Sequence, residues 1–199
     1  MEFLNLSGDC YRVQLQRAEY WEKLRTLKVE DMIVIDEMGV HLALTRSHAR
    51  ATRGQRARGT IPTKTERNVT VIGALSLKGM LVRRFIYGNT DGSTFEGFIL
   101  KNLVPQLWEG ACVVMDNARI HGREMIRYFL VSKKARLIYL PSYSPDFSLI
   151  ENCWSKLKNG LKGDKPCTYL QLLEDFDFNL KQVTPAHIKH WFTHCCYCL

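Results

Sequence analysis

The sequence lacks any hydrophobic run approaching the roughly 18 residues that a membrane-spanning helix needs. Its first ten residues also lack the basic and then hydrophobic pattern of a secretory signal. No internal repeat, low-complexity tract or clear linker divides the 199 residues. These absences predict one main domain at residues 30–199 after a helical lead-in at residues 1–29, a cytoplasmic location and no membrane partner.

Signals for cysteine pairing are absent too, because the seven cysteines are odd in number and never stand in a CxxC pair. That pattern disfavours a disulfide framework and a zinc ribbon. Residues 194–198 offer His and Cys ligands to a soft metal, but nothing upstream supplies a second ligand pair. We therefore expect reduced thiols.

Acidic residues are in deficit, with 20 Asp and Glu against 28 Lys and Arg, and the formal net charge is +8. This excess favours a polyanionic partner. It is densest at residues 46–67, where seven basic residues accompany one acid, and Gly and Pro interrupt regular structure. We expect this basic loop to be a mobile loop or a long hairpin tip and to contact phosphate groups, with a merely solvated loop as the alternative. Its basic residues are Arg46, Arg50, Arg53, Arg56, Arg58, Lys64 and Arg67.

Hydrophobic periodicity predicts the elements of an α/β fold. Residues 10–28 have helical spacing, and residues 32–35 predict a buried strand with an antiparallel neighbour at residues 40–44, across a turn at Gly39. Residues 69–77 and 81–87 flank Lys78-Gly79, which is a hairpin signal.

The later segments alternate between helix and strand. The pattern predicts helices at residues 94–108 (disturbed by Pro105), 122–132, 148–161, 168–180 and 185–195, and strands at residues 111–115 and 136–140. A meander of strands followed by βαβ units predicts a mixed sheet with helices on its faces.

Three carboxylates occupy comparable positions in this scheme. Asp36 ends the first predicted strand, Asp116 ends the strand at residues 111–115, and Glu151 lies in the first turn of the helix after the last strand. We expect these side chains to meet, because open α/β sheets bind ligands at the carboxyl ends of their strands. Clustered carboxylates stay ionised only with a compensating cation, and Mg²⁺ prefers such oxygen ligands. Two such ions suit phosphodiester cleavage.

Each acid also has a local structural interpretation. Asp36 could initiate a turn, and Asp116 with Asn117 could cap the following helix. Ser148 and Glu151 have the spacing of a capping box. The recurrence of acids at equivalent topological positions favours a shared site over three separate structural roles.

Three motifs carry a family resemblance: IDEMG at residues 35–39, VMDNARIH at 114–121 and LPSYSPDFSLIE at 140–151. In these motifs the chain resembles the catalytic domain of DDE-superfamily transposases. The spacing of 34 residues between Asp116 and Glu151 is also similar to that family's spacing between its second and third acids. The likeness is to the mariner-like group and its bacterial insertion-sequence relatives, and it runs from about residue 30 to residue 195. It implies a ribonuclease H-like fold with a mixed five-stranded sheet flanked by helices.

The resemblance implies that Asp36, Asp116 and Glu151 are the catalytic and metal-binding triad, holding two Mg²⁺ ions with Mn²⁺ as a substitute. It implies hydrolysis of double-stranded DNA at transposon ends and joining of the freed 3′ hydroxyl to target DNA, usually at a TA dinucleotide. Asn117 and His121 fall inside the matching motif, and we expect them to orient Asp116 or touch phosphate, with a local structural role as the alternative. A homo-oligomer and, in a bacterium, association with the nucleoid are further implications.

Two more residues are placed by periodicity. Glu37 follows Asp36 on a strand and should therefore point to the opposite face, as a supporting or structural acid. Lys158 follows Glu151 on the same side of the predicted helix and is a candidate DNA contact.

Two departures from the family pattern leave other functions open. Ser148 and Leu149 stand where the family usually has Asn and Pro, which predicts a looser entry into the helix. Only about 30 residues precede the first acid-bearing strand, so we expect no helix-turn-helix domain and a fragment, a split-frame product or a remnant. The alternatives are a catalytically inactive DNA-binding or dimerising remnant, and a ribonuclease H-like nuclease without strand transfer.

Overall fold

The computed structural model describes residues 11–42, 44, 50–56, 58, 68–118, 121 and 124–197. Within them, five strands form a sheet in the order β3-β2-β1-β4-β5. The strands are β1 Met32–Val40, β2 Val69–Ser76, β3 Gly79–Tyr87, β4 Cys112–Met115 and β5 Arg136–Tyr139. The helices are α1 Tyr11–Leu24, α2 Gly92–Phe98, α3 Glu124–Ser132, α4 Leu149–Asp164, α5 Tyr169–Lys181 and α6 Pro185–His194. Across these described residues, no helix is both long and apolar enough to cross a membrane.

Strand β1 is the centre of the sheet. It pairs antiparallel with β2 on one side and parallel with β4 on the other. The outer pairs follow the same division, since β2 and β3 are antiparallel and β4 and β5 are parallel. The predicted α/β class with a mixed five-stranded sheet is therefore confirmed.

The strand predicted at residues 40–44 is wrong. Strand β1 runs without a turn through Gly39 to Val40, and its antiparallel partner is β2, in which Thr70 pairs with Gly39. A Gly after two acids predicts a turn from local sequence, but the cross-strand pairing from Ile33 to Val40 holds it extended.

The helix predicted at residues 94–108 does change character at its C-terminal end. After α2, a π-helical turn spans Ile99–Leu103 and a 3₁₀ turn spans Val104–Gln106. Pro105 has no N–H and its ring crowds the preceding turn, so a regular α-helix cannot continue through it. The predicted disturbance is confirmed.

Helices cover both faces of the sheet. On one face, Met32 and Val34 of β1 share an apolar cluster with residues of α1, α4, α5 and α6. On the other face, Ile33 and Ile35 share a cluster with residues of α2 and α3. Because successive strand residues point to opposite faces, Asp36 belongs to the α4 face.

Helix α1 packs on the α4 face near the loop that enters α4. The Tyr20 ring stacks on the Phe147 ring with centroids 5.4 Å apart, and the Tyr20 and Tyr197 hydroxyls are hydrogen-bonded at 2.6 Å. Tyr197 Oη also donates to the Phe147 carbonyl at 2.7 Å. The described part of the predicted lead-in is therefore packed into the core of the fold.

Candidate active site

Asp36 and Asp116 are brought together by the parallel pairing of β1 with β4. Val34 pairs with Val114, and Asp36 and Asp116 each follow two residues later on the same face. The sequence predicts that Asp36 ends its strand. In the structure, β1 instead continues beyond Asp36 to Val40. It is β4 that stops, at Met115, and this opens the sheet beside Asp36.

Glu151 reaches the same place from the first turn of α4. One side of that helix is buried against the sheet, and Glu151 is exposed beside it. The buried residues of α4 are Leu149, Ile150, Cys153, Trp154, Leu157 and Leu161. Ser148 occupies the N-cap position, but its side chain makes no capping hydrogen bond. The backbone N–H of Glu151 donates to the Ser148 carbonyl at 3.1 Å. The capping-box alternative for Glu151 is therefore wrong.

The three carboxylates line one open cleft of about 380 Å³. The remaining wall is formed by residues 140–145 and Ser148 of the loop that enters α4, together with Asn117 and Ala118. Asp116 and Glu151 are exposed and Asp36 is partly buried at the base of the cleft. Residues 36, 116 and 151 thus share one surface although they are far apart in sequence.

Asp36 is the acid whose surroundings most oppose its charge. The pKa of Asp36 is raised to about 7, chiefly by burial and also by the neighbouring charges of Glu151, Glu37 and Asp116, against a backbone hydrogen bond from Glu37. Carboxylates that repel in this way are the ones that a cation stabilises. The indole of Trp154 donates a hydrogen bond from Nε1 to Asp36 Oδ2 at 3.1 Å.

The role of Trp154 is not visible in the sequence pattern. Helical periodicity places it in the buried stripe of α4, where a large apolar side chain needs no further explanation. The sequence did hold one signal that Trp154 needs a polar partner, since a buried indole N–H usually requires an acceptor. Periodicity could not say that the acceptor is Asp36, 118 residues earlier.

His121 lies between two acids beneath the cleft. Its buried ring contacts Asp116 Oδ1 through Nδ1 and lies 3.1 Å from Glu37 Oε2 through Nε2. Burial lowers the pKa of His121, but the hydrogen bonds to Asp116 and Glu37 outweigh it and raise the pKa to about 10. These two acids therefore favour the imidazolium form of the ring.

His121 also controls the ionisation of Asp116. Its hydrogen bond holds the pKa of Asp116 below the ordinary value, and the Ala118 backbone N–H, 3.0 Å from Asp116 Oδ1, acts in the same direction. Glu37 points to the sheet face opposite to that of Asp36, as expected from strand alternation. Its carboxylate contacts His121 there. Asn117 is exposed and lines the cleft.

The candidate DNA contacts are only partly within the described residues. Arg50, Arg53, Arg56 and Arg58 are exposed, and Lys158 is partly exposed on α4. Arg46, Lys64 and Arg67 lie outside the described residues. Their contact with DNA therefore stays a prediction.

The cleft fits a hard divalent ion by its ligand chemistry. Within the described ranges, no three His, Cys, Asp or Glu side chains converge closely enough to surround a single ion. The cleft instead presents carboxylates across an open space, and Mg²⁺ in proteins keeps several waters and binds through one or two carboxylates. The cleft therefore offers oxygen ligands of the kind that such an ion takes.

Comparison with known proteins gives the family of this site. A family model described as DDE superfamily endonuclease matches residues 31–171. The chain belongs to this family, whose match includes all three cleft acids.

Similar proteins come from mobile elements. The chain is 28% identical over 154 residues to the insertion element IS630 uncharacterized 39 kDa protein of Shigella sonnei, covering 75% of this chain and 44% of that protein. It shares its fold with the Mos1 transposase paired-end complex with left transposon end, at a TM-score of 0.74, 14% identity, and coverage of 98% of this chain and 63% of that one.

The catalytic domain of Mos1 mariner transposase gives a TM-score of 0.69 at 12% identity, with 98% of this chain and 91% of that domain covered. This likeness confirms the predicted ribonuclease H-like fold. The chain thus spans less than half of the insertion-element protein and nearly the whole of the Mos1 catalytic domain.

Proposed function

We propose that this chain is the catalytic core of a DNA transposase that cleaves DNA at transposon ends and joins the freed 3′ hydroxyl to target DNA. The observation that carries the proposal is the shared cleft of Asp36, Asp116 and Glu151. Family membership and the match to Mos1 structures solved with a transposon end and as a strand transfer complex support it.

Asp36, Asp116 and Glu151 would hold two Mg²⁺ ions, with Mn²⁺ as a substitute. The Mos1 paired-end complex has been solved with Mn and with Mg, which supports this choice. When bound, two divalent ions activate the attacking oxygen and stabilise the departing one in phosphodiester cleavage. The same acids would serve both hydrolysis and strand transfer, because each is attack of an oxygen on a phosphodiester.

The protein's own groups prepare the acids for this role. His121 keeps Asp116 ionised and fixes its orientation from beneath, and Glu37 in turn holds the His121 ring. Trp154 engages one oxygen of Asp36. Asn117 at the edge of the cleft is proposed to touch a DNA phosphate, since its amide can donate without adding charge.

Positive charge outside the cleft is proposed to hold the DNA backbone. The basic residues of the loop at 46–67, and Lys158 on the acid-bearing helix, supply guanidinium and ammonium groups that pair with phosphate. By family likeness we also propose a homo-oligomer, and a cytoplasmic location at the nucleoid if the source is bacterial.

A nicking assay with three matched substitutions tests the proposal. Purified chain is incubated with supercoiled DNA and Mg²⁺ or Mn²⁺, and Asp36→Asn, Asp116→Asn and Glu151→Gln are compared with Glu109→Gln. Glu109 is an exposed acid that pairs with Lys134 away from the cleft. We expect metal-dependent nicking that each of the three cleft variants loses by at least about a hundredfold and that Glu109→Gln retains.

The outcomes separate the alternatives. Equal nicking by wild type and Asp116→Asn, or none by either, would favour a DNA-binding or dimerising remnant. Nicking without joining of pre-cut 3′ ends to target DNA would favour a ribonuclease H-like nuclease that lacks strand transfer.

A further inference from the structure

Gly73 on β2 faces Asp36 directly across the strand pair. The two residues are partners in the antiparallel register of β1 and β2, and Gly73 is buried. On the α4 face of the sheet, the missing side chain of Gly73 leaves a space beside the Asp36 carboxylate. The indole of Trp154 fills that space.

The fit between Gly73 and Trp154 leaves no room for a methyl group. A Cβ added at Gly73 would overlap Trp154 Cη2 and lie 3.0 Å from Trp154 Cζ2 and 3.1 Å from Met80 Sδ. The indole is 1% exposed and is the rigid part of this contact. Glycine is therefore required here by close approach of the ring, since its backbone has no positive φ.

The indole that packs over Gly73 also contacts the Asp36 carboxylate. With its six-membered ring over Gly73, Trp154 directs Nε1–H to Asp36 Oδ2 at 3.1 Å. Trp154 lies three residues after Glu151 on α4, so one helix turn carries both the third acid and the hydrogen-bond donor to the first. The position of α4 against the sheet thus fixes two acids of the cleft together.

We propose that Gly73 and Trp154 are positioning residues, which hold the Asp36 carboxylate in the orientation that binds a divalent cation. The inference rests on the proposed function, because it assigns these residues to the metal-binding acid. The indole orients the carboxylate through a hydrogen bond, and Gly73 sets the indole. Neither residue touches DNA or the reacting atoms in this scheme.

Two substitutions disturb the arrangement in different ways. Trp154→Phe removes the N–H donor and shortens the ring, whereas Gly73→Ala keeps the donor but displaces the ring that carries it. Because the shorter phenyl ring leaves space for a methyl at residue 73, Gly73→Ala should cost little more once Trp154 is Phe. The two effects are therefore expected to be strongly non-additive.

The chain supplies a matched control for each substitution. Trp108 Nε1 donates to Asp31 Oδ1 at 2.8 Å, so Trp108→Phe removes the same kind of hydrogen bond away from the cleft. Gly39 lies on β1, and a Cβ added there meets nothing within 4 Å, so Gly39→Ala adds the same methyl without a contact. Both controls should bind metal as the wild type does.

The test measures Mn²⁺ binding by the electron paramagnetic resonance signal of free Mn²⁺, with thermal unfolding recorded for every variant. We expect Trp154→Phe and Gly73→Ala each to weaken Mn²⁺ binding about tenfold or more, as loss of a group that orients a ligand typically does. The double variant should be close to Trp154→Phe alone. The nicking rate should recover at high Mn²⁺, because positioning affects the metal requirement more than the saturated rate.

If a folded Trp154→Phe protein binds Mn²⁺ as the wild type does, while Asp36→Asn does not, the inference is wrong and the proposed function stands. If the wild type shows no Mn²⁺ binding that depends on Asp36, the proposed function fails and the inference with it. Should Trp154→Phe or Gly73→Ala fail to fold, a benzothiophene analogue placed at residue 154 removes only the N–H. Unchanged Mn²⁺ binding by that protein would equally overturn the inference.

Discussion

The guanidinium of Arg17 contacts both carboxylate oxygens of Asp146, although the two residues are 129 positions apart. The two hydrogen bonds measure 3.0 and 2.6 Å, and the guanidinium also lies 4.0 Å from the centre of the Phe147 ring. Asp146 belongs to the loop that borders the cleft and leads into the acid-bearing helix α4. Helix α1 therefore fastens the segment that delivers Glu151.

Replacing Arg17 with Ala should destabilise the protein by about 1 kcal/mol, because a two-pronged ion pair and a cation–π contact are lost at a partly exposed site. Urea unfolding of the variant and the wild type measures this difference in the free energy of unfolding. Arg25→Ala is the control, since Arg25 directly follows α1 and its pair with Glu22 is exposed. Equal stability of the two variants would show that the Arg17 contact does not fasten the loop.

The Arg17–Asp146 pair also predicts a dependence on pH. The hydrogen bond from Arg17 lowers the pKa of Asp146 below its ordinary value of 3.8. A group with a depressed folded-state pKa contributes stability above the unfolded value and loses it as pH falls through the folded value. Asp146→Asn should therefore be less stable than wild type at pH 6, and the difference should shrink below about pH 4. A difference in unfolding free energy that is constant down to pH 3 would contradict this.

Removal of His121 should lower the free energy of unfolding, because its ring lies between two acids. In His121→Gln, the largely buried Glu37 loses its partner cation, and we expect the free energy of unfolding to fall by about 3 kcal/mol, as for the breaking of a buried ion pair; the exposed Asp116 adds little to this loss. Adding Glu37→Gln removes the charge left behind and should restore part of that stability. Chemical denaturation of the single and double variants measures both values. A double variant no more stable than His121→Gln would refute the charge explanation.

Phosphate contact by the basic loop predicts a steep fall of DNA affinity with salt. Replacing Arg50, Arg53 and Arg56 together with Ala should flatten the plot of log affinity against log salt by about 2 to 3, roughly one unit for each lost phosphate contact. The control removes three exposed basic residues near the other face of the sheet, Lys101, Arg127 and Lys133. Fluorescence anisotropy with a labelled duplex gives both slopes. A flat salt response of the wild type would remove the phosphate-contact proposal.

Local sequence patterns predicted most of the fold but not the contacts that orient the acids. The rule that ligands bind at the carboxyl ends of strands predicted that Asp36 and Asp116 meet, and strand alternation predicted that Glu37 points to the other face. The local pattern failed at Gly39, where pairing with Thr70, 31 residues later, overrides the turn signal. The hydrogen bonds from Trp154 to Asp36 and from Arg17 to Asp146 depend on how helices pack on the sheet, which periodicity does not encode.

Iron-directed cleavage of the protein tests most directly whether three distant acids share divalent ions. Fe²⁺ bound in place of Mg²⁺, with ascorbate and peroxide, produces hydroxyl radicals that cut only nearby backbone. We predict cuts near residues 36, 116 and 151, suppressed by excess Mg²⁺ and lost in Asp36→Asn. Cuts confined to other segments, or cuts that Mg²⁺ does not suppress, would contradict the shared metal site.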